Sequence, residues 1–147
     1  MVVPAIKIAQ FLAAGCEIQC LLADVHSFLD SLKSPLELVQ HRVEYYRFTI
    51  TAMLESLGVP TEKLRFVLGS SYQKSPEYIM DLYKLSSLIS EHDARRAGSE
   101  IVKQSDSSGP LSGLLYPLLQ VLDEQYLDVD VQFGGSTVEI VNTKTLD

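Results

Sequence analysis

Residues 17–23, Glu17-Ile18-Gln19-Cys20-Leu21-Leu22-Ala23, make a short apolar run without helical punctuation, and Asp24-Val25-His26 follow it directly. Such a run reads as a strand buried on both faces. Ahead of it, Pro4 at a first helical position and Gly15 just past the end frame a helix. Behind it, residues 24–34 read as a loop with a turn of helix. Ser34-Pro35 then supplies an N-cap and a proline at the first helical position of a long helix, which Gly58 and Pro60 end. A second short strand, Leu64-Arg65-Phe66-Val67-Leu68, closes on Gly69-Ser70-Ser71. Ser75-Pro76-Glu77 repeats the cap-and-proline signature, and a further helical segment covers roughly 93–103. Residues 105–110 form a linker. Residues 111–126 are apolar over most of a helical circumference, with Pro117 as a kink or start, and 127–133 alternate valine with aspartate as a third strand before Gly134-Gly135. Helices alternating with short strands imply an α/β domain with a parallel sheet. The stretch between the second and third strands is too long for one crossover and therefore holds a helical insertion.

The 147 residues suffice for one domain with a core. A net charge of −7 argues against a simple cationic groove for nucleic acid, although not against a polynucleotide gripped elsewhere. No apolar run reaches the roughly 20 residues of a membrane helix, and the N-terminus lacks the pattern of a signal peptide. The two cysteines, Cys16 and Cys20, have no partner at zinc-ligand spacing, so no metal site is expected. Four residues apart on one strand face, they lie too far apart to bridge, and free thiols in a reducing compartment follow.

In an open α/β sheet, ligands sit beyond the carboxyl ends of the strands. Asp24 and His26 follow the first strand, so they either face that crevice or, in the case of Asp24, cap the next turn. Tyr116, Gln120 and Asp123 recur at i, i+4 and i+7 and share one helical stripe, nearly opposite Leu114, Leu118 and Val121, which are expected to face the core. A phenol, an amide and a carboxylate in line suit the ammonium and hydroxyl of a small ligand; an ordinary solvated face is the alternative. Gly134-Gly135 permits close approach of a phosphate or adenosine to the backbone, or makes a turn. The tyrosines of 74–84 read as packing residues. No nucleophile set, phosphate loop or metal motif is present.

Together these segments resemble the eukaryotic and archaeal tyrosyl-tRNA synthetases. The run 23–30, Ala-Asp-Val-His-Ser-Phe-Leu-Asp, is similar to the loop after their second Rossmann strand. Residues 52–60 resemble the end of the next helix, and 85–87 with 92–98 the helical connective insertion. Residues 111–117, running through Gln120 and Asp123 to Gln132-Phe133-Gly134-Gly135, carry the most specific likeness. The resemblance implies an incomplete Rossmann-type parallel sheet, with residues 1–135 as part of a class I catalytic domain, an insertion at about 70–110, and a divergent tail at 136–147. It implies a cytoplasmic ligase that activates tyrosine with ATP, Mg2+ accompanying the nucleotide, and passes the tyrosyl group to its tRNA. Tyr116 and Gln120 would hold the α-ammonium, Asp123 would accept from the phenolic hydroxyl, and His26 and Leu21 would line the pocket. Gly134 and Gly135 would lie at the nucleotide. A homodimer through the insertion helices follows as well.

The likeness also has limits. The family's first strand and ATP signature are expected before Val3, and the Asp-Gln pair expected after Gly135 is replaced by Ser136-Thr137-Val138. On that reading the chain is a truncated synthetase, inactive alone and poorly stable because a central strand is absent. The alternative is a catalytically silent interaction protein derived from the same fold.

Overall fold

The computed structural model describes residues 2–30, 35–99 and 110–133. Helix α1 (Val2–Ala13) begins two residues earlier than the sequence implies, with Pro4 inside its first turn. Proline is tolerated there because N–H groups of the first turn have no intrahelical acceptor. The helix stops in a Schellman motif: Gly15 takes φ +88°, its N–H reaches the Leu12 carbonyl at 2.9 Å, and that of Cys16 reaches Phe11 at 3.0 Å. Lys63 Nζ donates to the Gly15 carbonyl at 2.8 Å and fastens this corner to the start of the second strand.

Strand β1 (Ile18–Leu22) pairs in parallel with β2 (Leu64–Leu68), Ile18 opposite Leu64 and Leu22 opposite Leu68. Cys16 precedes β1 instead of sharing its face with Cys20, and both thiols are free. Between the strands run α2 (Asp24–Leu29) and α3 (Leu36–Ser56). Pro35 occupies the N-cap of α3, with φ −53° and ψ 141°, and not the first helical position; Ser34, expected as the cap, lies outside the described residues. Gly58, at φ +67°, repeats the Schellman ending with Val59 N–H on the Leu54 carbonyl.

After β2 the chain makes one 3-10 turn (Gly69–Ser71), then α4 (Pro76–Leu88), α5 (Glu91–Ser99) and α6 (Ser112–Tyr126). Ser75 caps α4 as its sequence requires, its Oγ accepting from Tyr78 N–H at 3.2 Å. Pro117 falls inside α6 and leaves the Gly113 carbonyl without its usual donor. Helix α5 presses on this spot: a methyl group at Gly98 would stand 2.9 Å from the Gly113 oxygen, so only glycine permits the crossing.

The sheet holds two strands among the described residues, and 127–133 is not one of them. Leu127 and Asp128 turn, Asp128 at φ +47°, and Gln132 Nε2 ties the segment back to the Glu124 carbonyl at 2.8 Å. The Phe133 ring packs edge-on against Phe11 of α1, with 5.5 Å between centroids. Alternation makes a strand only where a neighbouring edge accepts its hydrogen bonds; here the segment packs by its side chains on a helix. The core also differs from expectation. It is built on Tyr78, Leu119 and Leu122, with Val25, Leu29, Leu82, Leu85 and Leu115 around them, where α2, α4 and α6 meet. Leu118 is buried as expected, but Leu114 and Val121 are only half-buried. The core thus adjoins the polar stripe of α6 and does not lie opposite it.

Candidate functional site

Asp123, near the end of α6, is 4% exposed. A buried carboxylate is stable only when donors replace its hydration. Gln73 Nε2 spans both oxygens, 2.8 Å from Oδ1 and 2.9 Å from Oδ2. The Tyr78 hydroxyl stands 2.9 Å from Oδ1 and 3.1 Å from the Leu119 carbonyl, and its one proton serves one of these at a time. His26, buried on α2, places Nδ1 3.6 Å from Oδ2, too far for a hydrogen bond, and neither ring nitrogen has a hydrogen-bond partner among the described residues. Its ring meets Tyr116 edge-on, 4.7 Å between centroids and 86° between planes.

The electrostatics follow from burial around one carboxylate. Desolvation lowers the His26 pKa below its ordinary value, partly opposed by the charges of Asp123 and Asp24, so the ring is neutral at neutral pH. Burial, reinforced by Asp123, raises the phenol pKa of Tyr72 and Tyr78 far above the usual range. Burial with Asp30 and Asp123 raises that of Tyr116 as well. The phenols therefore remain protonated and available as donors.

The two strand ends are joined at the same place. Asp24 begins α2 and accepts from Ser70 N–H at 2.8 Å, so it does not cap its own helix, and it borders the crevice at the carboxyl end of β1. A methyl group at Gly69 would meet Gln73 Oε1 at 2.8 Å and Asp24 Oδ1 at 3.1 Å, so a side chain there would displace the Gln73 amide.

The structure thus brings together His26, Tyr116 and Asp123. Gln120 is half-buried one turn from Asp123 on the same helix. Leu21 is placed differently: it lines a groove of about 240 Å³ between the carboxyl end of β1 and α3, shared with Asp24, Arg42 and Tyr46. Gly134 and Gly135 lie outside the described residues. Sequence reasoning missed Gln73, Tyr72 and Tyr78, which it assigned to packing or passed over. The rule that pointed to Asp24 and His26, the carboxyl end of a strand, applies equally to the turn after β2 and would have found them. Among the described residues no cluster of three or more His, Cys, Asp or Glu is placed to hold a metal ion.

Residues 1–137 match the family model of the class I tRNA synthetases (W and Y). The cytoplasmic tyrosine–tRNA ligase of Saccharomyces cerevisiae is 59% identical over 133 residues, which cover 90% of this chain and 34% of that protein. That of Danio rerio is also 59% identical over 133 residues, covering 90% of this chain and 25% of its own length. The chain thus spans about a third of the first relative and a quarter of the second. Among solved structures, the tyrosyl-tRNA synthetase of Archaeoglobus fulgidus complexed with L-tyrosine superposes with a TM-score of 0.77 at 32% identity, over 88% of this chain and 39% of that one. The enzyme of Pyrococcus horikoshii, also complexed with L-tyrosine, gives 0.73 at 28% identity, over 84% of this chain and 34% of that one. The two-stranded parallel sheet with its helices is accordingly part of a Rossmann-type class I fold. This chain belongs to the class I tRNA synthetases (W and Y), and its relatives within that family are tyrosine–tRNA ligases.

Proposed function

We propose that this chain carries the tyrosine-recognising part of a tyrosine–tRNA ligase, which activates tyrosine with ATP and transfers it to tRNA. The observation that supports it best is the buried Asp123, held by Gln73 and Tyr78 on one side and flanked by His26 and Tyr116 on the other. Asp123 accepts the phenolic hydroxyl, and a ligand without that hydroxyl leaves a desolvated acceptor unpaired. Tyr116 and Gln120 receive the α-ammonium, and His26 borders the ring. In such a site the work is positioning: the tyrosine carboxylate is held in line with the α-phosphorus of ATP, which loses pyrophosphate. ATP, with Mg2+ on its phosphates, approaches near Gly134 and Gly135, and the setting is the cytoplasm, as in the names of its relatives. No helix among the described residues is long and apolar enough to cross a membrane.

The test is binding of L-tyrosine and L-phenylalanine to the intact chain by equilibrium dialysis. The parent is expected to prefer tyrosine, and Asp123→Asn, which keeps the shape but not the charge, to lose that preference. Equal affinities in the parent would overturn the reading.

The partner in this proposal is a second copy, seated on the outer face of α4. Met80, Tyr83, Leu88 and Ile89 are 53%, 62%, 72% and 40% exposed there, an apolar patch that a symmetric interface would cover. Leu82 and Leu85 of the same helix pack inward and take no part in it. Sedimentation is expected to show a dimer at tens of micromolar, and Leu88→Glu to yield monomer. A monomeric parent would remove the partner and leave the tyrosine site untouched.

A further inference from the structure

We propose that Gln73 is a positioning residue for this site, one that fixes the Asp123 carboxylate so that a single acceptor direction, on Oδ2 beside His26, remains open to a ligand hydroxyl. The proposal rests on the reading of Asp123 as the hydroxyl acceptor and adds what decides its orientation. A carboxylate offers about four lone-pair directions. On Oδ1 two are spoken for, by Gln73 at 2.8 Å and Tyr78 at 2.9 Å. On Oδ2 there is one donor, Gln73 at 2.9 Å; His26 Nδ1 stands back at 3.6 Å, and the buried Tyr72 hydroxyl lies near the carboxylate without a hydrogen-bond partner among the described residues. The open direction therefore lies on the oxygen that faces His26, whose ring in turn abuts Tyr116.

Gln73 is suited to this by its chemistry and its placement. It is 3% exposed, and its backbone N–H holds the Gly69 carbonyl at 3.0 Å, which locks the residue to the 3-10 turn. Its NH2 must face Asp123, since the opposite orientation would set oxygen against oxygen. Its Oε1 then lies unpartnered over Gly69, where a methyl group would stand 2.8 Å from it. An acceptor left unsatisfied in a buried position is costly, and the gain set against it is a donor group bridging both oxygens of Asp123. A neutral donor does this without forming an ion pair that would compete with a ligand hydroxyl.

The groups facing this amide and carboxylate are Asp24 and His26 from α2, Tyr72 from the turn before α4, Tyr78 from α4 and Tyr116 from α6. None is a fixed cation. Gln73→Glu therefore brings a second carboxyl against Asp123 with no fixed cation among these groups to neutralise it, and the pair binds a proton readily. Once protonated, the introduced carboxyl donates an O–H in place of the amide.

The experiment measures the ratio of L-tyrosine to L-phenylalanine affinity of the intact chain at pH 7.5 and pH 5.5, with the parent as control at each pH. Gln73→Leu is expected to lower the ratio about tenfold or more at both. Gln73→Glu is expected to lower it similarly at pH 7.5 and to recover toward the parent at pH 5.5. Tyr78→Phe, which removes a donor from Oδ1 only, is expected to cost less than Gln73→Leu. Measurable phenylalanine binding confirms a folded pocket in each variant. If Gln73→Leu does not fold, the recovery of Gln73→Glu at low pH still decides the question. A parent-like ratio in the Gln73 variants, or a Gln73→Glu loss that is the same at both pH values, overturns the role of Gln73 and leaves the tyrosine reading standing. A parent that does not discriminate the two amino acids overturns both.

Discussion

Helices α3 and α6 are the two longest among the described residues, and they are held in opposite ways. Helix α3 has 21 residues, of which Val39 and Leu54 are buried; α6 has 15 and buries Gly113, Pro117, Leu118, Leu119, Leu122 and Asp123. Several polar groups of α3 serve their own helix. Thr49 and Thr51 bond back to the carbonyls of Tyr45 and Arg47 at 2.7 and 2.9 Å, and Arg47 pairs with Glu44 at 2.6 Å while covering Phe48. The polar groups of α6 reach far along the chain, Asp123 to Gln73 across 50 residues and Tyr126 to Asp81 across 45. A helix closed on itself is a spacer between strands. One whose carboxylate is held by hydrogen bonds from two other segments ties distant parts of the chain together.

Removing packing from α6 is expected to give the largest effect. Leu119→Ala opens a hole beside Tyr78 and Leu122, and urea unfolding is expected to show a loss of about 2–5 kcal/mol. A loss below about 1 kcal/mol would mean that the core is not centred there.

Acid is the next probe, because it acts on α2 at its contact with α6. Burial depresses the His26 pKa in the folded chain below the value of about 6.5 for an unfolded histidine. The stability linked to its neutral ring is therefore fully present above about pH 6.5 and is lost as pH falls through the lower folded value. The urea midpoint is expected to fall between pH 7.5 and 5.5, and His26→Gln to remove part of that slope. A parent and variant with parallel profiles would show that His26 carries no such linkage.

The smallest effect is expected on the outer face of α3. Tyr45 and Phe48 are 63% and 66% exposed, so Tyr45→Ser and Phe48→Ser should each change stability by no more than about 0.5 kcal/mol. A larger cost in either would show that a partner covers this face, and the contrast between the two helices would then need revision.

The same contrast explains what was legible from residues alone. Both strands, the cap at Ser75, the glycine endings at Gly15 and Gly58 and the stripe of α6 could be read, because each depends on neighbours a few positions away. The prolines misled by small amounts. Pro4 and Pro35 mark helix starts, but a fixed φ suits several positions around a first turn, so each lies next to the boundary without naming it. The segment 127–133 misled more, since its alternation is strand-like and its fate depended on whether an edge stood beside it.

By itself, then, the order of residues determined the α/β pattern and the family likeness, and through that likeness offered Tyr116, Gln120, Asp123 and His26 as candidates, because periodicity, capping and local motifs are properties of short stretches. Only the tertiary structure decided that the core lies beside the polar stripe, that the turn between the 3-10 segment and α4 supplies Gln73, and that Leu21 opens toward α3. These depend on which surfaces meet after the chain has crossed over. A buried carboxylate takes its donors from whatever segment the fold delivers, and sequence separation does not limit that choice.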